Sequence, residues 1–157
     1  MARTRSTIHA RVSSVTAFDF VSDFRHAPLW DPQARSVVKV TEGPIGVGTQ
    51  FLMVGAVIGR RLELPYEIVV FERPLRLVMA GSTRFLRYRD EITFVDEGDR
   101  TRLTYDAELE IQIVKRLADH VLQLVFSRIA EVATRGMAQA IEAYSEYGIT
   151  SKIQSRT

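Results

Sequence analysis

From residue 60 to 111 apolar side chains recur at every second position, whereas from about Ile113 to Tyr144 they recur at every third and fourth. This change of period constrains the fold more than any other feature. Period two marks strands with one buried face, and a period near 3.6 marks an amphipathic helix. Leu62, Leu64, Tyr66, Ile68 and Val70 share one face. So do Leu86, Tyr88, Asp90, Ile92 and Phe94, and likewise Leu103, Tyr105, Ala107 and Leu109. The helical stripe is Val114, Leu117, Ala118, Val121, Leu124, Val125, Ile129, Val132, Met137 and Ile141. At about 1.5 Å per residue that helix is roughly 45 Å long. Gly136 within it marks a bend or a close contact, because glycine costs about 1 kcal/mol there relative to alanine.

Ahead of these segments, Ile8, Ala10 and Val12 alternate with polar residues and predict a first strand over 6–13. Thr16 is the expected cap of a short helix with Asp19 near its positive end, and Phe20, Val21 and Phe24 form its inner face. Pro28 and Pro32 limit the next segment to a turn or a second small helix. Strands are predicted over 36–41, 49–54, 60–72, 76–80, 84–95 and 101–111, separated by Gly- and Pro-bearing turns. An apolar loop over 55–59 has three open readings: a pocket rim, a contact with a membrane or partner, or a segment folded back on the core. Residues 148–157 read as a polar, frayed tail.

The expected fold class is α+β. A seven-stranded antiparallel sheet curves around one long C-terminal helix, with two short helices after strand 1. Strongly twisted strands around a single helix leave a gap between the layers suited to an apolar ligand. The 157 residues suffice for one domain spanning 1–157, with its core over about 6–145. The absence of cysteine excludes disulfides, thiolate nucleophiles and cysteine-ligated metals. With 21 Lys and Arg against 19 Asp and Glu, interspersed, no basic face points to nucleic acid. The charge-free stretch Gly43 to Gly59 is too short and too rich in glycine for stable membrane insertion, and no secretory h-region follows the basic start. A cytoplasmic location is expected.

Several short motifs carry a resemblance. These are Val21-Ser22-Asp23-Phe24, Pro28-Leu29-Trp30-Asp31-Pro32, Gly43-Pro44-Ile45-Gly46-Val47-Gly48-Thr49, Tyr66-Glu67-Ile68, Phe71-Glu72-Arg73-Pro74 and Thr101-Arg102-Leu103-Thr104-Tyr105. With the order of elements, they resemble the SRPBCC (START-like) superfamily, in its polyketide cyclase/dehydrase-like branch. The resemblance covers about residues 6–145 and implies a helix-grip fold with a deep hydrophobic cavity. It implies no particular reaction, since the motifs are turns and core positions.

Asp90 is the candidate catalytic residue, because alternation places it among apolar side chains facing the helix. Desolvation there raises a carboxyl pKa and suits it to acid–base work; the competing reading is a carboxyl hydrogen-bonded to a tyrosine or arginine. Tyr66, Tyr88 and Tyr105 fall on inward faces and can donate to a ligand from an apolar wall. With Leu64, Ile92, Trp30, Leu117 and Val121 they form the expected ligand-binding set, although Trp30 equally suits packing of the short helices and Asp31 suits turn capping. His9, His26 and His120 are dispersed, so neither a metal site nor a cofactor is expected; His26 is placed near the cavity entrance. The leading function is binding or transport of a lipid, quinone, polyketide or aromatic metabolite. The alternative is a metal-free cyclase, aromatase or dehydratase. A third reading is an interaction module with an unused cavity, and self-association into a homodimer stays open.

Overall fold

The computed structural model describes residues 1–57, 59–112 and 119–154. Its elements are β1 (Ala2–Ala10), α1 (Ser14–Ser22), a 3-10 helix (Phe24–Leu29), β2 (Ala34–Lys39), β3 (Gln50–Val57), β4 (Arg60–Glu72), β5 (Arg76–Ser82), β6 (Leu86–Asp96), β7 (Thr101–Ile111) and α2 (Asp119–Gln154). The seven strands pair antiparallel in the order β1-β7-β6-β5-β4-β3-β2. Strands β2 to β7 form a meander, as short turns between strands require. The first strand returns to the β7 edge.

Local chemistry moves several boundaries from their sequence positions. β1 begins at Ala2 rather than residue 6, because Arg5 lies opposite Asp106 and Arg3 opposite Glu108. Their charged ends meet at 2.6 and 3.4 Å, so basic residues that read as a tail are instead the outward face of a strand. Ser13, not Thr16, caps α1: its hydroxyl accepts from the Thr16 amide at 3.2 Å. Residues 55–57 do not form an apolar loop. They extend β3, with Gly55 opposite Leu62 and Val57 opposite Arg60. Gly55 serves close approach here, since a Cβ would lie 2.9 Å from the Gln33 carbonyl oxygen. Residues 148–154 continue α2, and 155–157 lie outside the described residues.

α2 is held along β1 by polar contacts at two points. Gln123 accepts from the Arg3 amide at 3.0 Å and donates to the Arg3 carbonyl at 2.6 Å, while Glu142 accepts from the Arg11 amide at 2.8 Å. Between them Ala133, Met137 and Ile141 are buried against the sheet. Gly136 marks a close contact: a Cβ there would lie 2.5 Å from the Trp30 carbonyl oxygen, so the segment ending the 3-10 helix and α2 touch backbone to backbone. Val121, Leu124 and Val132, read from sequence as part of the inward stripe, are 63, 73 and 50% exposed. Apolar residues occupy more than one row of this helix, and only the docked sheet selects the row that faces in.

The core is uneven along the sheet. At one end Phe18, Phe94, Ile68, Leu77, Ile92, Leu103 and Met137 pack without exposure above 2%. Elsewhere between the sheet and α2 lies a cavity lined by both.

Candidate functional site

The cavity has a volume of about 680 Å³. That lies within the range of roughly 300–1,000 Å³ expected of small-molecule sites. Its floor is Met53, Leu62, Leu64, Leu86, Ala107 and Leu109 from the strands, and its roof is Leu122, Val125, Phe126, Ile129, Ala130 and Ala133 from α2. The roof residues recur at three and four, so they form one continuous row. Arg60, Arg84 and Phe85 lie at the turn end. Phe85 is 47% exposed, which identifies that end as the mouth.

The opposite end is polar. Asp90 is 7% exposed and lines the cavity together with Tyr66, Tyr88, Tyr105 and Asp31. Strand register brings these groups together. Ile92 pairs with Tyr105 and Asp90 with Ala107, so Tyr105 is the diagonal neighbour of Asp90 on the inner face. Asp90 also pairs with Met79, which pairs with Ile68, and Tyr66 lies two residues along from Ile68 on the same face. Asp31 arrives from the loop after the 3-10 helix, its carboxylate accepting from the Gln33 amide at 2.8 Å.

Aromatic packing fixes the phenols. The Tyr66 ring lies 4.7 Å from both the Phe24 and Tyr88 rings. The Tyr88 hydroxyl turns away from Asp90 and donates to the Pro65 carbonyl. Gly81 makes this possible, since a Cβ there would lie 1.9 Å from that carbonyl oxygen and 2.5 Å from Tyr88 Cε2. The Tyr88 proton is therefore engaged by the backbone, whereas Tyr105 and Tyr66 lie beside Asp90 and favour its charged form.

Burial pushes the Asp90 carboxyl up to about 7, against the opposing pull of those two phenols, and the negative charge of Asp31 adds to the rise. Asp31 is itself raised by burial. Tyr66 and Tyr105 are raised well above the ordinary phenol range, first by burial and then by the Asp90 charge, so both stay protonated. The result is a carboxyl able to hold or release a proton near neutrality, flanked by two permanent donors, in an apolar chamber.

Of the residues expected to contact ligand, the structure brings Asp90, Tyr66, Tyr88, Tyr105 and Leu64 to the cavity wall. Three do not reach it. Ile92 has no exposed surface and packs in the solid core. Trp30 lies behind Tyr105, with ring centroids 6.5 Å apart, and supports that phenol from outside the cavity. Val121 points to solvent. Leu117 lies outside the described residues. Asp31 is the residue that sequence reasoning underrated. It does cap a turn, and the same turn delivers its carboxyl to the cavity. Leu122 and Phe126 were also missed, although their spacing to Ala130 and Ala133 carried a helical signal.

The histidines are elsewhere. His26 is not at the entrance: its Nδ1 lies 2.8 Å from the Phe20 carbonyl and its ring stacks on Phe20 at 4.5 Å. His9 pairs with Glu97 at 3.3 Å on the outer surface. Among the described residues no cluster of His, Asp and Glu has the arrangement of a metal site, and no helix is long and apolar enough to cross a membrane.

Comparison with known proteins places this architecture. The family model described as "Polyketide cyclase / dehydrase and lipid transport" matches residues 1–142. The chain belongs to this family. Solved structures that share this fold include TTHA0849 from Thermus thermophilus, similar with a TM-score of 0.78 at 18% identity over 91% of this chain and 99% of that one. A START superfamily protein from Mycobacterium smegmatis is similar with a TM-score of 0.68 at 16% identity, covering 94% of this chain and 99% of that one. The ZhuI aromatase/cyclase from Streptomyces sp. R1128 gives 0.72 at 11% identity, covering 94% of both chains. At these identities the likeness is one of fold, the START-like helix grip. No curated protein matches in sequence.

Proposed function

We propose that this family member binds a small apolar or amphipathic molecule in the cavity, with its hydrocarbon body along α2 and its polar group against Asp90, Tyr66 and Tyr105. The observation that carries this reading is the distribution of chemistry within a chamber of about 680 Å³: apolar side chains over most of the wall, buried carboxyls and phenols at the inner end, and the charged Arg60, Glu63 and Arg84 at the mouth. Apolar burial at about 25 cal/mol per Å² supplies most of the affinity, and the polar end sets orientation. Native mass spectrometry after gentle purification is expected to show a retained small molecule, and Nile red is expected to bind and fluoresce. Ala130→Phe fills the roof and should weaken Nile red binding at least tenfold. Val132→Phe, on the exposed side of the same helix, should leave it unchanged. Equal binding by both variants would contradict the proposal.

The neutral-range carboxyl between two phenols favours a second reading, acid–base catalysis of the kind a cyclase or dehydratase needs. In it Asp90 takes a proton from a carbon beside a carbonyl, and Tyr66 or Tyr105 donates to the developing enolate oxygen. On a short poly-β-ketone thioester, Asp90→Asn should then slow turnover by about 10²-fold or more while Nile red binding persists. An unaltered rate of product formation would remove Asp90 from the mechanism.

A further inference from the structure

The closed end of the cavity carries more hydrogen-bond acceptors than donors. Asp90 has two carboxyl oxygens with about four lone-pair sites, and the neighbouring Tyr66 and Tyr105 bring one proton each. Tyr88 commits its proton to Pro65. Asp31 uses one oxygen for the Gln33 amide, and its second oxygen has no partner among the described residues. The roof above this end is Ala130 and Ala133, which offer no polar side chain, and Gln33 beside Asp31 adds a side-chain amide with two donors and one acceptor oxygen, too few to balance the two carboxyls.

Charge follows the same pattern. The groups facing Asp90 are Asp31 from the loop, Tyr66 from β4, Tyr88 from β6 and Tyr105 from β7. Arg89 acts on Asp90 only through space, and its guanidinium is held on the outer face by Glu91 at 3.0 Å. Among the described residues the cations that line the cavity, Arg60 and Arg84, lie at the mouth with Glu63. Trp30 precedes Asp31 and its carbonyl abuts Gly136, which locates the acidic pair at the far end of the roof from Leu122. Eleven helical steps from Leu122 to Ala133 correspond to roughly 16 Å.

From this imbalance we infer that the buried end selects a ligand head that donates hydrogen bonds, with a protonated amine the best fit and a hydroxyl the next, and disfavours a carboxylate. An ammonium brings three donors and the one charge that the acidic pair lacks. A carboxylate head brings a third negative charge and only acceptors, so it must turn back to the arginines at the mouth or take up a proton. This inference rests on the binding function proposed above and names its ligand class.

The test is displacement of Nile red from the intact protein at pH 8 by four molecules built on the same twelve-carbon chain: dodecylamine, dodecanol, methyl dodecanoate and dodecanoate. Dodecylamine is expected to bind about tenfold more tightly than the methyl ester, dodecanol to fall between them, and dodecanoate to show no advantage over the ester. The amine advantage should fall below about threefold in Asp31→Asn/Asp90→Asn. In the unaltered protein it should also shrink at pH 5.5, where Asp90 holds its proton, a measurement that needs no variant. Binding of all four with no amine advantage would overturn the inference while leaving the cavity function standing, as would an advantage that survives both the double substitution and the pH change. Failure of Nile red and all four probes to bind would remove the binding function itself, and this inference with it.

Discussion

Replacing Asp90 by Asn is expected to stabilise the protein by several kcal/mol at pH 8 and to change its stability little at pH 4. The carboxyl is held at about 7 in the fold, against roughly 3.9 in an unfolded chain. Its folded value is raised, so between about pH 4 and 7 the folded state keeps a proton that the unfolded state has lost. Stability therefore falls as pH rises through that window and levels off above it. Three pH units at about 1.36 kcal/mol each set an order of magnitude of ~4 kcal/mol. Asn is neutral throughout and escapes this loss, less whatever its amide forfeits in pairing with the phenols.

Urea midpoints of both proteins at pH 4.5, 6 and 8 measure the difference, and a gap that does not widen with pH would contradict the assignment. Asp31, also raised, leaves a smaller slope of the same sign in the variant. Other carboxyls act in the opposite direction. Glu91 is lowered chiefly by its hydrogen bond from Arg76, and Asp23, despite burial, by Arg25 and His26. Their stabilisation is present above the ordinary carboxyl range and lost as pH falls through their folded values, on the acid side of the Asp90 window.

Phe18→Ala is the substitution expected to destabilise most. Phe18 has no exposed surface and its ring meets Phe71 at 5.0 Å and Phe94 at 5.2 Å, joining α1 to the solid end of the sheet. Truncating a buried phenylalanine costs about 3–5 kcal/mol, including the void left behind. For a chain of this size each kcal/mol lowers Tm by about 2–4 °C, so a drop on the order of 10 °C is expected in a thermal melt. Val132→Ala, half exposed on α2, should stay within about 0.5 kcal/mol. A similar Tm for Phe18→Ala and the unaltered protein would mean that α1 contributes little to the core.

Strands and helices differ in how far their sequences reveal which side chains face inward. Alternation over β4, β6 and β7 was enough to place Leu64, Tyr66, Tyr88, Asp90 and Tyr105 on one face, because in a strand the side chain's direction follows from its parity. Helix faces are less determinate. Val121, Leu124 and Val132 satisfy three-and-four spacing as well as Leu122, Phe126 and Ala133 do, and local periodicity does not say which row meets the sheet. Glycines were ambiguous for a related reason: Gly55, read as part of an apolar loop, makes room for Gln33, and Gly81 makes room for the Tyr88 ring.

The residues by themselves therefore determined the class of fold, the strand faces and the inward carboxyl, since each depends on chemistry repeated over a few neighbouring positions. Tertiary structure alone decided that Ile92 lies in solid core while Leu64 lines a cavity, that Tyr88 gives its proton to Pro65, and that Asp31 joins Asp90 from 59 positions away. Those outcomes depend on where α2 rests on the sheet and on distances between segments remote in the chain. No local pattern encodes them.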